Sequence, residues 1–225
     1  MVDLIKVLLA VFMALFPVVN PIGCAPIFLS LAQQYPASAQ RILSGKIAVY
    51  SFALLAGSFL FGSIILNFFG ISLVVIQIAG GLILAATGWN LLNQKGDDST
   101  ANKTPGTLEG ALQHAFLPLT LPITVGPGSI SIAITLGAHL RHQAGPGWEH
   151  GYPANFVAGL IAMFLLSVLV LLCYANANRM ERLLGTSGTT ILTSLSAFIL
   201  FAIGVQILWN GLSAGIPEIL AHAPH

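Results

Sequence analysis

Charge is what this sequence has least of. Only 7% of its 225 residues are charged, while 56% are apolar. A soluble domain needs about a quarter charged residues to build its surface, so the expected solvent here is lipid. The eight basic residues are too few and too scattered for a phosphate-binding stripe, and a net charge of +1 gives nucleic acid no purchase. Two cysteines, Cys24 and Cys173, both within apolar runs, are too few for a disulfide framework or a thiolate metal centre. They read as small apolar fillers. A His-Glu-x-x-His motif is missing, and so is a deep nucleophile with an evident base, which leaves an intramembrane enzyme without its chemistry. His139, His142 and His150 share a segment with Glu149, yet their spacing matches no firm ligand pattern. No enzyme, cofactor or metal site is therefore expected.

What is present is hydrophobic length. Four uninterrupted stretches, Ile47 to Phe69, Ile71 to Leu92, Ala154 to Ala175 and Thr189 to Leu212, contain no charge. Each exceeds the roughly 20 residues that a helix needs to cross the hydrocarbon layer. Two further stretches are apolar but interrupted. Leu4 to Leu31 is broken around Pro17, Asn20, Pro21 and Gly23, and Ala111 to Leu136 around Pro118, Pro122 and Gly126-Pro127-Gly128. Proline removes a backbone donor and clashes with the preceding turn. With glycine and asparagine beside it, the helix is expected to open rather than merely bend. The fold class is thus an all-α integral membrane protein of six spans, with spans 1 and 4 broken near mid-membrane. Lys6 ahead of Val7 to Phe16, and Ile22-Gly23-Cys24 beyond, imitate a lipoprotein signal. The apolar run continues to Leu31, so a first span is expected, not a cleaved leader.

One membrane domain is expected over 1–225. The clearest loop is 94–107, with others at 139–153 and 176–188. A ragged tail follows from 216, where Pro217 is expected to end the last helix. With the N-terminus outside, the inner loops hold Arg41, Lys46, Lys95, Lys103, Arg179 and Arg182, and the outer side only Lys6 and Arg141. The excess of inner basic residues turns both termini away from the cytoplasm, toward the periplasm of a bacterium.

The interrupted spans are the first and the fourth, which suggests a duplication of about 3–93 in about 108–215. Pro21 and Pro127 lie 106 residues apart. Ala53, Leu55, Phe59 and Leu60 match Ala158, Leu160, Phe164 and Leu165 at an offset of 105. Ile83, Leu84, Ala86, Gly88 and Leu92 match Ile199, Leu200, Ala202, Gly204 and Leu208 at 116. Three spans per half is an odd number, so the second half enters the membrane from the opposite side. That is the inverted repeat common in transporters.

Non-helical backbone survives at membrane depth only if it is buried in protein or lines a wet cavity. The two breaks are therefore expected to meet. Beyond each, a half-helix begins, near Gly23-Cys24 and near Gly128-Ser129, with free N–H groups and a positive dipole end suited to a carboxylate. Carbonyls around Val18, Val19 and Asn20, and around Thr124, Val125 and Gly126, are left to receive an ammonium or a cation. Asn20, Thr120, Thr124, Ser129 and Ser131 add uncharged polar groups nearby. The candidate binding set is Asn20, Pro21, Gly23, Cys24, Thr124, Gly126, Pro127, Gly128, Ser129 and Gln77. No deep carboxylate is available as a proton carrier or countercharge, which points to a neutral or zwitterionic solute. A coupling sodium ion or proton is compatible with this set, though nothing indicates one.

Plainer readings stand beside these. Gly80-Gly81, Gly88 and Gly204 read as tight helix packing. Gln77, Asn90 and Gln206 read as amides bridging helices, with Gln77 alone in reach of a central cavity. His114 reads as an interfacial histidine rather than a proton relay. A membrane scaffold without cargo would predict a dry, packed centre instead of a polar pathway, and a homo-oligomer is compatible with either reading.

Asn20-Pro21-Ile22-Gly23 through Pro26-Ile27-Phe28-Leu29 resembles the first signature of the MarC family. Ile78-Ala79-Gly80-Gly81-Leu82-Ile83, Pro118-Leu119-Thr120-Leu121-Pro122 with Gly126-Pro127-Gly128-Ser129-Ile130, and Gly204-Val205-Gln206 with Asn210-Gly211 extend the resemblance over about residues 3 to 215. It implies a six-span protein of the bacterial inner membrane, with transport of small neutral amino acids attached to some members. Members commonly carry an arginine before Ile-Ala-Gly-Gly, where this chain has Gln77. Another commonly opens the sixth span, where the nearest position here is Ser194. If those arginines touch substrate in relatives, the substrate here differs or binds more weakly.

Overall fold

The computed structural model describes residues 2–32, 34–93, 108–143 and 152–221, and all its regular elements are helices. Span 1 consists of α1 (Val2–Val19) and α2 (Pro21–Ala32), separated by Asn20 alone. Span 2 is α3 (Ala37–Phe68) and span 3 is α4 (Leu73–Asn93). Span 4 follows a short α5 (Leu108–Gln113). It joins a wide, π-type helix (Ala115–Thr124) to α6 (Pro127–Gln143) across a 68° bend. Span 5 is α7 (Tyr152–Ala175), and span 6 lies within α8 (Ala177–Ala221).

Local chemistry accounts for these boundaries. Spans 2 and 3 connect through a tight C-terminal motif. Gly70 takes a left-handed φ of 67°, its N–H bonds to Asn67, and the Ile71 N–H reaches back to Leu66. Glycine avoids the Cβ penalty there, and the freed carbonyls of α3 are satisfied. Three expected irregular segments differ. The stretch 176–188 is helical apart from Asn176 and a bend at Gly185 (φ 65°), residues 139–143 continue α6, and α8 runs past Pro217 to Ala221. The 94–107 loop, the 144–151 part of the 139–153 loop, with Glu149 and His150, and the tail 222–225 lie outside the described residues.

Span 5 is the centre of the bundle. Half of its most apolar window is buried, against 17% for span 6. Val11, Leu15, Phe28, Leu43, Leu55, Phe59, Met163 and Leu166 form one continuous core of α1, α2, α3 and α7. Large apolar residues on the outside, such as Phe61, Phe68, Phe164, Ile191, Phe198 and Trp209, are exposed. Facing lipid, such a surface incurs no hydrophobic penalty.

The packing maps onto itself when the halves are exchanged. Span 2 packs on span 5 and span 3 on span 6. The second half of span 1 touches spans 5 and 6, as the second half of span 4 touches spans 2 and 3. Spans 3 and 6 approach backbone to backbone. A Cβ on Gly88 would lie 2.5 Å from the Phe201 nitrogen, one on Gly81 would overlap Leu208, and one on Gly204 would overlap Ala85. The glycines serve close packing, as small residues do in bilayers.

Candidate functional site

The first interruption is narrower than its proline and glycine content suggests. Asn20 alone leaves the helical region, at φ 44°. Its N–H still bonds to Phe16, and its carbonyl still receives the Cys24 N–H. The Asn20 side chain adds a cap, its Oδ1 accepting from the Gly23 N–H at 3.2 Å. Asparagine tolerates this conformation because its short amide can bond locally. Span 1 thus swings at one residue and does not open.

The second interruption is extensive. Pro118 and Pro122 have no N–H to give and force the residues before them toward extended backbone. Leu117 (φ −115°, ψ 126°) and Leu121 (φ −111°, ψ 122°) take that form, and the Leu121–Pro122 bond is cis. The remaining bonds reach five residues back, from Leu119 N–H to His114 and from Val125 N–H to Thr120. Threonine hydroxyls repair the ladder in the same register. Thr120 donates to Ala115 at 2.6 Å and Thr124 to Leu119 at 2.7 Å, both hydroxyls being buried. Tyr174 of α7 donates to Thr124 at 2.8 Å and stacks on Phe28 of α2, ring centroids 4.6 Å apart. Tyr174 thus ties the wide helix of span 4 to span 5 of its own half and, through Phe28, to span 1 of the other.

Gly126 then starts α6. Its carbonyl accepts the Ile130 N–H at 3.1 Å and the Ser129 hydroxyl at 2.8 Å. It is the cap position, yet glycine has no side-chain oxygen to offer. Pro127 has no N–H, so the N–H groups of Gly128 and Ser129 are the ones left without an acceptor inside the helix.

The two interruptions meet. The Cys24 thiol lies 3.7 Å from the Val19 carbonyl in its own span and 3.7 Å from the Ile123 carbonyl in span 4. In a regular helix that second carbonyl would take the N–H of residue 127, which here is proline. Beside this bridge lies a cavity of about 110 Å³, room for several waters. Cys24, Gly126, Pro127 and Gly128 line it together with Val18, Ile83, Leu84, Thr87, Pro122 and Leu200. The lining is apolar except for the Cys24 thiol, the Thr87 hydroxyl and main-chain groups.

Of the ten expected site residues, those four therefore share the cavity wall. Pro21 is buried behind them, and Ser129 is buried with its hydroxyl on Gly126. Thr124 turns its hydroxyl to Leu119 and Tyr174 and not to the cavity. Asn20 spends its carbonyl oxygen on the Gly23 N–H. Gly23 sits against Ser196 of α8, so closely that a Cβ would overlap that side chain. Gln77 lies elsewhere, in a second cavity with Ser131, Thr135 and Asn210. The side chains of Val18, Ile83, Leu84 and Leu200 are not marked as cavity lining by the sequence, because an aliphatic residue facing a cavity looks like one facing lipid. The single hint was the match of Leu84 with Leu200. His114 is exposed, its Nδ1 2.8 Å from the Gly110 carbonyl and 3.2 Å from the Tyr35 hydroxyl, which suits the interfacial reading.

Comparison with known proteins extends over nearly the whole chain. The model of a family described as MarC family integral membrane protein matches residues 5–216. An inner membrane protein named MarC from Salmonella paratyphi B is 32% identical over 217 residues, covering 94% of this chain and 96% of that protein. Its counterpart in Citrobacter koseri gives the same identity and coverage. A membrane protein of Aquifex aeolicus is 29% identical over 204 residues, covering 89% of this chain and 90% of its own length. No solved structure matches the chain.

Proposed function

We propose a function from one premise: the chain belongs to the MarC family of integral membrane proteins. In this reading it is a secondary transporter or facilitator. It moves a small neutral or zwitterionic solute, an amino acid with a short side chain, across the bacterial inner membrane by alternating access about the two interruptions. The names of the enterobacterial relatives support the inner-membrane placement, and the distribution of basic residues supports periplasmic termini.

The observation that carries the reading is the bridge from Cys24 to the carbonyl of Ile123, with a cavity beside it and an uncapped helix start in its wall. An incoming carboxylate finds the N–H groups of Gly128 and Ser129 and the positive end of the α6 dipole. Its ammonium finds the carbonyls of Val19 and Ile123, which now hold only a weak thiol donor. Val18, Leu84 and Leu200 give a short aliphatic side chain an apolar wall. The wall contains no carboxylate, amine, guanidinium or imidazole to balance a net charge, so a zwitterion suits it better than an ion.

Purified protein in liposomes is expected to take up labelled glycine, alanine or serine faster than empty liposomes. A broad panel of small solutes with no flux above that background, and a Cys24 closed to water-soluble thiol reagents from both faces, would leave only a scaffold.

A further inference from the structure

The second cavity, about 170 Å³ in volume, lies between α4, α6 and α8. Gln77, Ser131, Thr135 and Asn210 bring polar side chains to it from three different helices. Within the membrane-spanning helices this convergence is notable, because each such group in hydrocarbon requires a partner. The hydroxyls find partners inside the protein, Thr135 donating to the Ser131 carbonyl at 2.9 Å, while the amides are only partly satisfied. Gln77 Nε2 reaches the Thr135 hydroxyl at a long 3.5 Å, while Asn210 accepts from Gln206 at 2.8 Å and keeps its NH₂ group available.

The position of this cavity gives it meaning. Along α6, Gly128 lines the first cavity and Thr135 the second, an axial step of about 10 Å at 1.5 Å per residue. Along α4, which runs the other way, Leu84 lines the first and Gln77 the second. The second cavity therefore lies between the interruptions and the membrane face from which α1 enters. At the level between the two spaces, α4 and α6 touch through Gly80 and Ser131. A Cβ on Gly80 would lie 2.6 Å from Ser131 Cβ, and the Ser131 hydroxyl donates to the Ile76 carbonyl at 3.0 Å. The other half carries a matching contact, Gly23 against Ser196. Ser196 corresponds to Gly80 at the offset of 116, whereas Gly23 corresponds to Ser129 at 106, two residues short of Ser131, so the corresponding helices touch through a serine and a glycine at nearby but not identical positions.

We infer that Gln77, Thr135 and Asn210 form a second polar station for the solute, on the side of the membrane that holds the N-terminus, and that the Ser131–Gly80 contact is the gate between this station and the cavity at the interruptions. The inference rests on the transport reading and deepens it. Hydroxyl and amide groups at the station replace part of the solute's hydration before it enters the apolar wall beyond. At this level the gate consists of one hydroxyl bond and one glycine contact, and a shift of α6 against α4 opens it.

Labelling by a membrane-impermeant maleimide, added to one face at a time, tests the gate in the full chain. With both native cysteines replaced by alanine, Thr135→Cys is expected to label about tenfold faster from the N-terminal face than from the other. With Cys24 restored as the single cysteine, labelling from that face is expected to be slow and to rise about tenfold when Ser131→Gly removes the gate. Ser131→Ala, a milder change that removes only the hydroxyl bond, is expected to give a smaller rise and covers poor folding of the glycine variant. A Thr135→Cys that labels equally slowly from both faces, or a Cys24 rate that neither gate variant raises, overturns the inference. Alanine flux into liposomes separates the two levels. Normal flux with these labelling failures sinks the gate alone. Absent flux with the expected labelling sinks the transport reading and leaves a gated wet path.

Discussion

Gly126→Ser should improve stability and impair transport at once. Gly126 occupies the cap position of α6, since its carbonyl takes the Ile130 N–H, yet it supplies no side-chain acceptor. A Cβ there would meet only the Pro122 carbonyl, at 3.1 Å, which asks for a shift of a few tenths of an ångström. A serine hydroxyl at a cap accepts from the second or third N–H of the helix, here those of Gly128 or Ser129. The gain over glycine is a few tenths of a kcal/mol, and the strain at Pro122 offsets part of it. Those are the same donors assigned to the carboxylate of the solute. A hydrogen bond to a charged group contributes about 1.5–3 kcal/mol, so losing one raises KM about tenfold or more. Thermal unfolding in detergent and alanine uptake into liposomes read the two effects separately. The reasoning is refuted if Gly126→Ser unfolds no later than the parent, or if it unfolds later and still transports with an unchanged KM, because occupied donors would then not matter.

Other outcomes follow from the same contacts. Gly204→Ala drives a methyl group into the backbone of Leu84 and Ala85, where nothing can rotate away. It should cost about 1–3 kcal/mol, read as a lower unfolding temperature, and leave the Cys24 bridge in place. Tyr174→Phe removes one donation to Thr124 and keeps the stacking on Phe28, for a loss of about 1 kcal/mol in chemical unfolding. Thr124→Val loses that bond as well as the one to Leu119 and strands the buried Tyr174 hydroxyl, so its loss should be larger, about 2–3 kcal/mol.

Long charge-free apolar runs made the spans legible, because in lipid a helix must satisfy its own backbone and needs a fixed length to cross. Gly126-Pro127-Gly128 marked the second interruption for the same reason, since proline and glycine act on the chain locally. Illegible features depend on what a residue faces after packing. Val18, Ile83 and Leu200 look alike in sequence whether they meet lipid or a cavity. Thr124 looked available as a ligand until Tyr174, fifty positions away, claimed it. Gln77 was placed at the first cavity, but its turn of α4 presents it to Thr135 and Asn210. At 176–188, polar residues suggest a loop, whereas that stretch is helical apart from Asn176 and a bend at Gly185. Asn20 preserves the helix ladder around itself, a compensation by side-chain geometry that no count of helix breakers anticipates.

Cross-linking between the two halves tests the central claim most directly. Ile123→Cys, in a chain whose Cys173 is alanine, places a second thiol beside Cys24 in the wall of the same cavity. A short bifunctional thiosulfonate applied to intact membranes is expected to join the two within one chain and to do so less when alanine is in excess. Failure to form that intramolecular link, in a protein that still folds and inserts, would contradict the meeting of the two interruptions.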